Sequence, residues 1–159
     1  MILIDSNSLL VLIIGLINPN LISTNKRTSI YEKEDFDNLI DLVGDFSNLL
    51  VLPNIWTEVD NLLNQSFSRN YKDSYIQNLK FIIESSTEKY LESKISVNSS
   101  YFYELGITDS LILEVAKDCK FIITSDSKLS DNAKANNIQV YDLVEIRNNK
   151  LKSLFTPKL

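Results

Sequence analysis

The sequence has no histidine, one cysteine, three glycines and three prolines in 159 residues. Each shortage excludes something. Without histidine there is no Ser-His-Asp or Cys-His nucleophilic catalysis, no histidine general base and no His-ligated zinc site. The lone Cys119 can form neither an internal disulfide nor a thiolate cluster; just ahead of an apolar strand it reads as a small buried residue, and it fits a reducing cytoplasm. So few Gly and Pro leave no long low-complexity stretch and no glycine-rich phosphate loop. Positive charge is not in excess either: 16 Lys and Arg face 21 Asp and Glu, a net charge of −5. That balance argues against a sequence-reading DNA binder with a basic face. It does not argue against a nuclease that gathers negative charge on metal ligands.

Leu9 to Ile17 is an apolar run broken only by Gly15. It is too short to span a bilayer. No positive residue precedes it and Asp5 interrupts the apolar start, so it is not read as a secretory signal. The expectation is a helix buried on most sides, in the core or at a subunit interface, in a cytoplasmic protein with no membrane contact.

What remains is ordinary: 44% apolar and 23% charged residues, as in a soluble globular protein. The length suits one domain over residues 1–159. Short apolar strands are expected at Met1 to Ile4, Leu49 to Leu52, Lys120 to Thr124 and Ile138 to Tyr141. Helical spacing falls between them. After Asp5, Ser6, Asn7 and Ser8 are all fit to cap the first helix, which Asn18-Pro19-Asn20 stops. Residues 20 to 31 form a polar loop. A second helix runs from Glu32 to Phe46 on Phe36, Leu39, Ile40, Val43 and Phe46. Pro53 opens a third, with Ile55, Val59, Leu62 and Leu63 as its stripe. Asp73 to Ser86 makes a fourth, with Ile76, Leu79, Phe81, Ile82 and Ile83 turned inward.

Tyr90 to Val97 reads as irregular or weakly extended, and Tyr101 to Leu105 as a short helical turn. Thr108 caps a helix to Lys117 that buries Leu111, Ile112, Val115 and Ala116. Ser127 to Asn136 is a short polar helix. From Arg147 the chain carries Arg147, Lys150, Lys152 and Lys158 and no acid. Strands alternating with helices predict a three-layer α/β/α fold with a mostly parallel central sheet.

Four carboxylates stand where strands end or helices begin: Asp5, Glu58, Asp109 and Asp126. In a parallel sheet, the carboxyl ends of the strands share one edge, where ligands bind. Each acid has a plain structural explanation as a cap, a first-turn helix residue or a turn residue. Acids from four segments that converge there would repel one another unless a hard cation such as Mg²⁺ or Mn²⁺ neutralised them.

The four local contexts together resemble the PIN-domain nuclease family, including its VapC-type toxin-like ribonucleases. Asp5-Ser6-Asn7 after the first strand is similar to that family's opening Asp, Thr or Ser, Asn or Ser. Glu58, early in the helix after the second strand, matches the second acid. Gly106-Ile107-Thr108-Asp109 resembles Gly-x-x-Asp, and Thr124-Ser125-Asp126 resembles Thr-x-Asp. The ordered set covers nearly the whole chain. It departs from the family's most compact members in a longer loop between the first two helices, and Ser66 to Ser100 holds no matching motif.

The resemblance implies a Mg²⁺- or Mn²⁺-dependent endoribonuclease. Asp5, Glu58, Asp109 and Asp126 would be metal ligands or acids positioning water, with Asn7 and Thr124 as supporting polar groups. It also implies an RNA substrate, and by the role of many relatives it extends to the toxin of a toxin–antitoxin pair, restrained by a small antitoxin protein, and to a homodimer. Lys26, Arg27 and Lys128 are candidates for holding the RNA backbone, with Arg69 and Lys72 further off; a solvated surface is the plainer role for each. Tyr101 and Tyr103 could stack on a base or simply pack.

Rival metal and phosphate sites fit poorly. A response-regulator receiver needs an acidic neighbour beside the first acid and a late lysine. A von Willebrand-type site needs Asp-x-Ser-x-Ser. The remaining alternative is a PIN-like RNA- or protein-binding module without catalysis.

Overall fold

Runs such as Ile2-Leu3-Ile4, Leu49-Leu50-Val51 and Phe121-Ile122-Ile123 show no alternation, as strands covered on both faces require. The computed structural model describes residues 1–64, 66, 67 and 69–155. Among these the sheet has five strands: β1 (Ile2–Ile4), β2 (Leu49–Val51), β3 (Thr87–Glu88), β4 (Phe121–Ile123) and β5 (Val140–Tyr141). Every pairing is parallel, in the spatial order β3-β2-β1-β4-β5. All residues of β1, β2 and β4 are buried. The helices are α1 (Ser6–Ile17), α2 (Lys33–Val43), α3 (Pro53–Leu63), α4 (Arg69–Ser85), α5 (Ser93–Val97), α6 (Phe102–Ala116), α7 (Ser127–Ala135) and α8 (Leu143–Phe155). They flank the sheet in the expected α/β/α layering. No described helix is long and apolar enough to cross a membrane.

The strand order places the site. The chain leaves β1 for β2 and β3 on one side of the sheet, then crosses to β4 and β5 on the other. Between β1 and β4 the winding reverses, and a parallel sheet opens a crevice at the carboxyl ends of such a pair. Asp5 follows β1 and Asp126 follows β4.

The apolar first helix lies in the core. Leu9 to Ile14 are all fully buried, and α1 packs against α2, α3 and α4. Gly15 sits where a Cβ would come within 2.1 Å of the Phe36 ring, so glycine permits the close approach of α2. The cap of α1 is Asp5 itself, whose side chain accepts from Ser8 N–H; it is not Ser6, Asn7 or Ser8.

Several expected details differ. In α4 the buried side chains are Tyr75 and Ile82, with Leu79 partly covered, whereas Ile76, Phe81 and Ile83 are exposed. The five apolar residues spread over more than one face, and the helix buries only the stripe at i, i+4 and i+7. Tyr75 anchors that stripe because its hydroxyl donates to Asp60 Oδ1 at 2.6 Å. Residues 90–97 are not extended throughout: Ser93–Val97 is helical. The edge strand β3 just before them escaped notice, being two polar, exposed residues without alternation. The last strand is the shorter Val140–Tyr141. Thr108 lies inside α6 and is not its cap. Instead α6 joins two helical segments across Gly106, whose φ of 74° and ψ of −169° leave the helical path.

The acid-free end of the chain is α8, and Arg147 is buried there. Its guanidinium pairs with the fully buried Asp35 and donates to Ile30 O at 3.3 Å. Burial pushes the Asp35 carboxyl up, against the Glu32 N–H and Arg147, which hold it down. Lys158 and the side chain of Arg69 lie outside the described residues.

Candidate active site

A residue directly after a buried strand enters the crevice with its own backbone already paired. Asp5 does so at the end of β1: its N–H donates to Ile123 O at 3.1 Å. Its side chain is buried and both carboxylate oxygens are engaged. Oδ1 accepts from Ser8 N–H at 2.7 Å, and Oδ2 accepts from the Thr124 hydroxyl at 2.5 Å. Burial lifts the Asp5 carboxyl to about 6, against these hydrogen bonds, and the charge of Asp126 adds to the lift.

Thr124, fully buried after β4, ties two of the acidic segments together. While donating to Asp5, its Oγ1 accepts from the Asp126 N–H at 3.1 Å. Asp126 caps α7, its Oδ1 accepting from Leu129 N–H at 2.9 Å. The plain capping role and the shared location therefore coexist.

The third acid arrives by a different route. Glu58 is not in the first turn of its helix; α3 starts at Pro53, so Glu58 is in the second turn, on the exposed face. Its Oε2 accepts from the Ser6 hydroxyl at 2.6 Å. Ser6, not Asn7, is thus the residue beside Asp5 that reaches the second acidic segment. Asn7 is exposed on the first turn of α1.

Asp109 completes the set electrostatically. It is half-buried, and its carboxylate has no hydrogen-bond partner among the described residues. Burial and then the charges of Asp126, Asp5 and Glu58 push its carboxyl up to about 7. Gly106 supplies the bend that lets the helix restart just before it, and the Ser110 hydroxyl donates to Gly106 O at 2.6 Å.

The donor chemistry fits a hard divalent cation: oxygen ligands throughout, mutual repulsion to relieve, and one acid, Asp109, without a hydrogen-bond partner among the described residues. Among the described residues no group of three or more Asp, Glu or Cys side chains is already set to hold a metal ion. A bound ion would draw these side chains together.

The basic and aromatic candidates are placed unevenly. Lys128 is exposed in the first turn of α7, two residues past Asp126. Lys26 and Arg27 are exposed in the loop before α2. Lys72 reaches Asn64 and lies 5.3 Å from the Tyr75 ring centre. Tyr101 donates to Asn136 Oδ1 at 2.8 Å, linking α6 to α7, and Tyr103 is fully exposed. Cys119 is half-buried, its thiol donating to Val115 O at 3.4 Å.

Two neighbours of the crevice escaped the sequence reading. Tyr31 is buried, and burial followed by the charge of Asp5 pushes its hydroxyl above its usual range. Asp142 follows β5 and caps α8, its Oδ1 accepting from Ser125 Oγ at 2.8 Å and Val144 N–H at 2.9 Å. The signal for Asp142 was present, since it follows a strand as Asp5 and Asp126 do. Nothing local marked Tyr31. No protein-family model matches the chain, and no curated protein sequence matches it.

Proposed function

We propose that this chain is a metal-dependent endoribonuclease of the PIN type, hydrolysing RNA phosphodiesters at the crevice between β1 and β4. One observation carries the reading. Acids from four separate segments are coupled at one sheet edge, Asp5 to Asp126 through Thr124, Glu58 to the Asp5 segment through Ser6, and Asp109 through the charges of all three.

Asp5, Glu58, Asp109 and Asp126 would hold Mg²⁺ or Mn²⁺. When bound, such an ion supplies Lewis acidity to phosphoryl oxygens and to water. The chain's own residues do the rest. Thr124 holds one Asp5 oxygen in place, and Ser8 N–H holds the other, so Asp5 enters the site in a single orientation. Ser6 steadies Glu58. Asp109, half-buried and without a hydrogen-bond partner among the described residues, has its oxygens free for the ion, whose charge would relieve the repulsion from Asp126, Asp5 and Glu58. Lys128, two residues past Asp126 in the chain, is the basic candidate best placed to meet phosphate. The toxin role in a toxin–antitoxin pair, a small inhibitory partner, a homodimer and a cytoplasmic location belong to the same proposal, on the motif resemblance alone.

The second reading is a PIN-like RNA- or protein-binding module without turnover, favoured by the lack of a ready-made cation cage among the described residues. One assay separates the two: cleavage of labelled single-stranded RNA with Mn²⁺ or Mg²⁺, with EDTA and Asp5→Asn as controls. The expected result is cleavage by the unaltered chain that is lost in both controls. Cleavage that persists in Asp5→Asn would refute the nuclease reading. RNA binding with no cleavage at all would leave the module.

A further inference from the structure

A groove of about 610 Å³ runs between α3 and the point where α6 restarts after Gly106, bordered by Glu58. Its walls include Asn54, Thr57, Asn61, Leu62 and Ile107. Asn54, Glu58 and Asn61 are spaced i, i+4 and i+7, so they share one face of α3, opposite the buried stripe of Ile55, Val59 and Leu63. The two amides therefore flank the acid, one turn to either side.

The charge on these walls selects the occupant. None of the described lining residues is Lys or Arg, so nothing there pairs with phosphate, and Glu58 repels it. These walls suit a neutral group. Neither Asn54 nor Asn61 uses its side-chain amide in a hydrogen bond among the described residues. Each offers two donors and an acceptor, the complement of a base's Watson–Crick edge. Leu62 and Ile107 provide apolar surface for a base face, and Ile107 is 44% exposed in the free protein.

We propose that this groove takes one unpaired base of the RNA beside the scissile phosphate and selects among bases through Asn54 and Asn61. The role beside the scissile phosphate rests on the nuclease reading above; the capacity to hold a base does not. The phosphate itself lies outside the groove, toward the carboxylate crevice. A site that reads hydrogen-bonding edges discriminates more sharply than an apolar one, because a wrong base leaves the amides unpaired.

The test uses the full chain labelled with ¹⁵N, titrated with each of the four ribonucleosides and, separately, with ribose 5-phosphate. The side-chain amide signals of Asn54 and Asn61 should shift saturably with at least one nucleoside, at millimolar affinity, and not with ribose 5-phosphate. Asn61→Leu should weaken the best-bound nucleoside by about tenfold, with the backbone spectrum preserved. Asn54→Leu should act in the same direction and guards against a local folding defect in the first variant. No shift with any nucleoside, an equal shift with ribose 5-phosphate, or unchanged binding in both variants would overturn the proposal. Metal-dependent cleavage run in parallel separates the two readings. Nucleoside binding without cleavage removes the nuclease and leaves the base site. Cleavage of all four homopolymers at equal rates, with no nucleoside shift, removes the base site alone.

Discussion

The Thr124 hydroxyl donates to Asp5 Oδ2 at 2.5 Å, joining residues 119 positions apart in the chain. The Thr124 Oγ1 in turn accepts from the Asp126 N–H. Thr124→Val keeps the shape of the side chain and removes both interactions, leaving a buried carboxylate oxygen and a backbone N–H without partners. The expected cost is about 1–3 kcal/mol of stability by urea unfolding, together with loss of RNA cleavage. Thr124→Ser should recover most of both. If Thr124→Val unfolds at the same urea concentration as the unaltered chain, the hydroxyl is not holding the crevice together.

Asp109 makes the metal-free protein sensitive to pH. Burial and three like charges raise its carboxyl from 3.8 to about 7, so the folded chain keeps a proton that the unfolded chain gives up. Its contribution to stability is complete below the unfolded value and is lost as pH rises through 7. Asp5, raised to about 6, acts in the same direction. In EDTA, the Tm should therefore fall between about pH 4 and pH 7, and Asp109→Asn should flatten that fall. Mn²⁺ should raise the Tm more at the upper end, because it competes with protons for the same oxygens. A Tm that rises with pH in EDTA would contradict the placement of Asp109.

Gly106 stands at φ 74° and ψ −169°, a backbone region reached almost only by glycine. Among the described residues, no atom outside Gly106's own stretch of chain lies within 4 Å of the position a Cβ would take. Gly106→Ala therefore meets no steric clash, and its cost is backbone strain alone, about 1–3 kcal/mol. Because Asp109 follows three residues later, cleavage should fall along with stability. A variant that loses neither would show that the bend does not position the acid.

Asp35 and Arg147 form an ion pair in the interior, with Asp35 Oδ1 lacking any partner among the described residues. Removing one member strands the other. Arg147→Leu is expected to cost about 3–5 kcal/mol. The double variant Asp35→Leu with Arg147→Leu should recover most of that loss, since an apolar pair carries no desolvation penalty. Equal destabilisation of the single and double variants would show that the charge pairing is not what matters. This pair also fastens α8 to α2, so limited proteolysis of Arg147→Leu should open the C-terminal helix first.

The legible parts of this protein were those in which chemistry and position are neighbours in the chain. Asp5 directly follows one unbroken apolar strand, Asp126 follows another after Thr124 and Ser125, and those strands are buried as expected. Glu58 was harder to place, because its distance from the helix start depends on where Pro53 begins the helix. For α4, periodicity offered five apolar residues and could not rank their faces. Tyr75 was passed over, although its ring packs 5.5 Å from that of Phe67 and its hydroxyl reaches Asp60.

Local patterning was enough to set the class of fold and to single out the candidate acids, because strand burial, helix periodicity and the residues at strand ends are local properties of the chain. The tertiary structure alone decided which partners those acids have. The strand order sets β4 on one side of β1 and β2 on the other, and only then can Thr124 reach Asp5 and Ser6 meet Glu58. The same long-range packing buries Arg147 against Asp35 and opens the groove beside Glu58. Such contacts join segments tens to more than a hundred residues apart, and no pattern within a single segment encodes them.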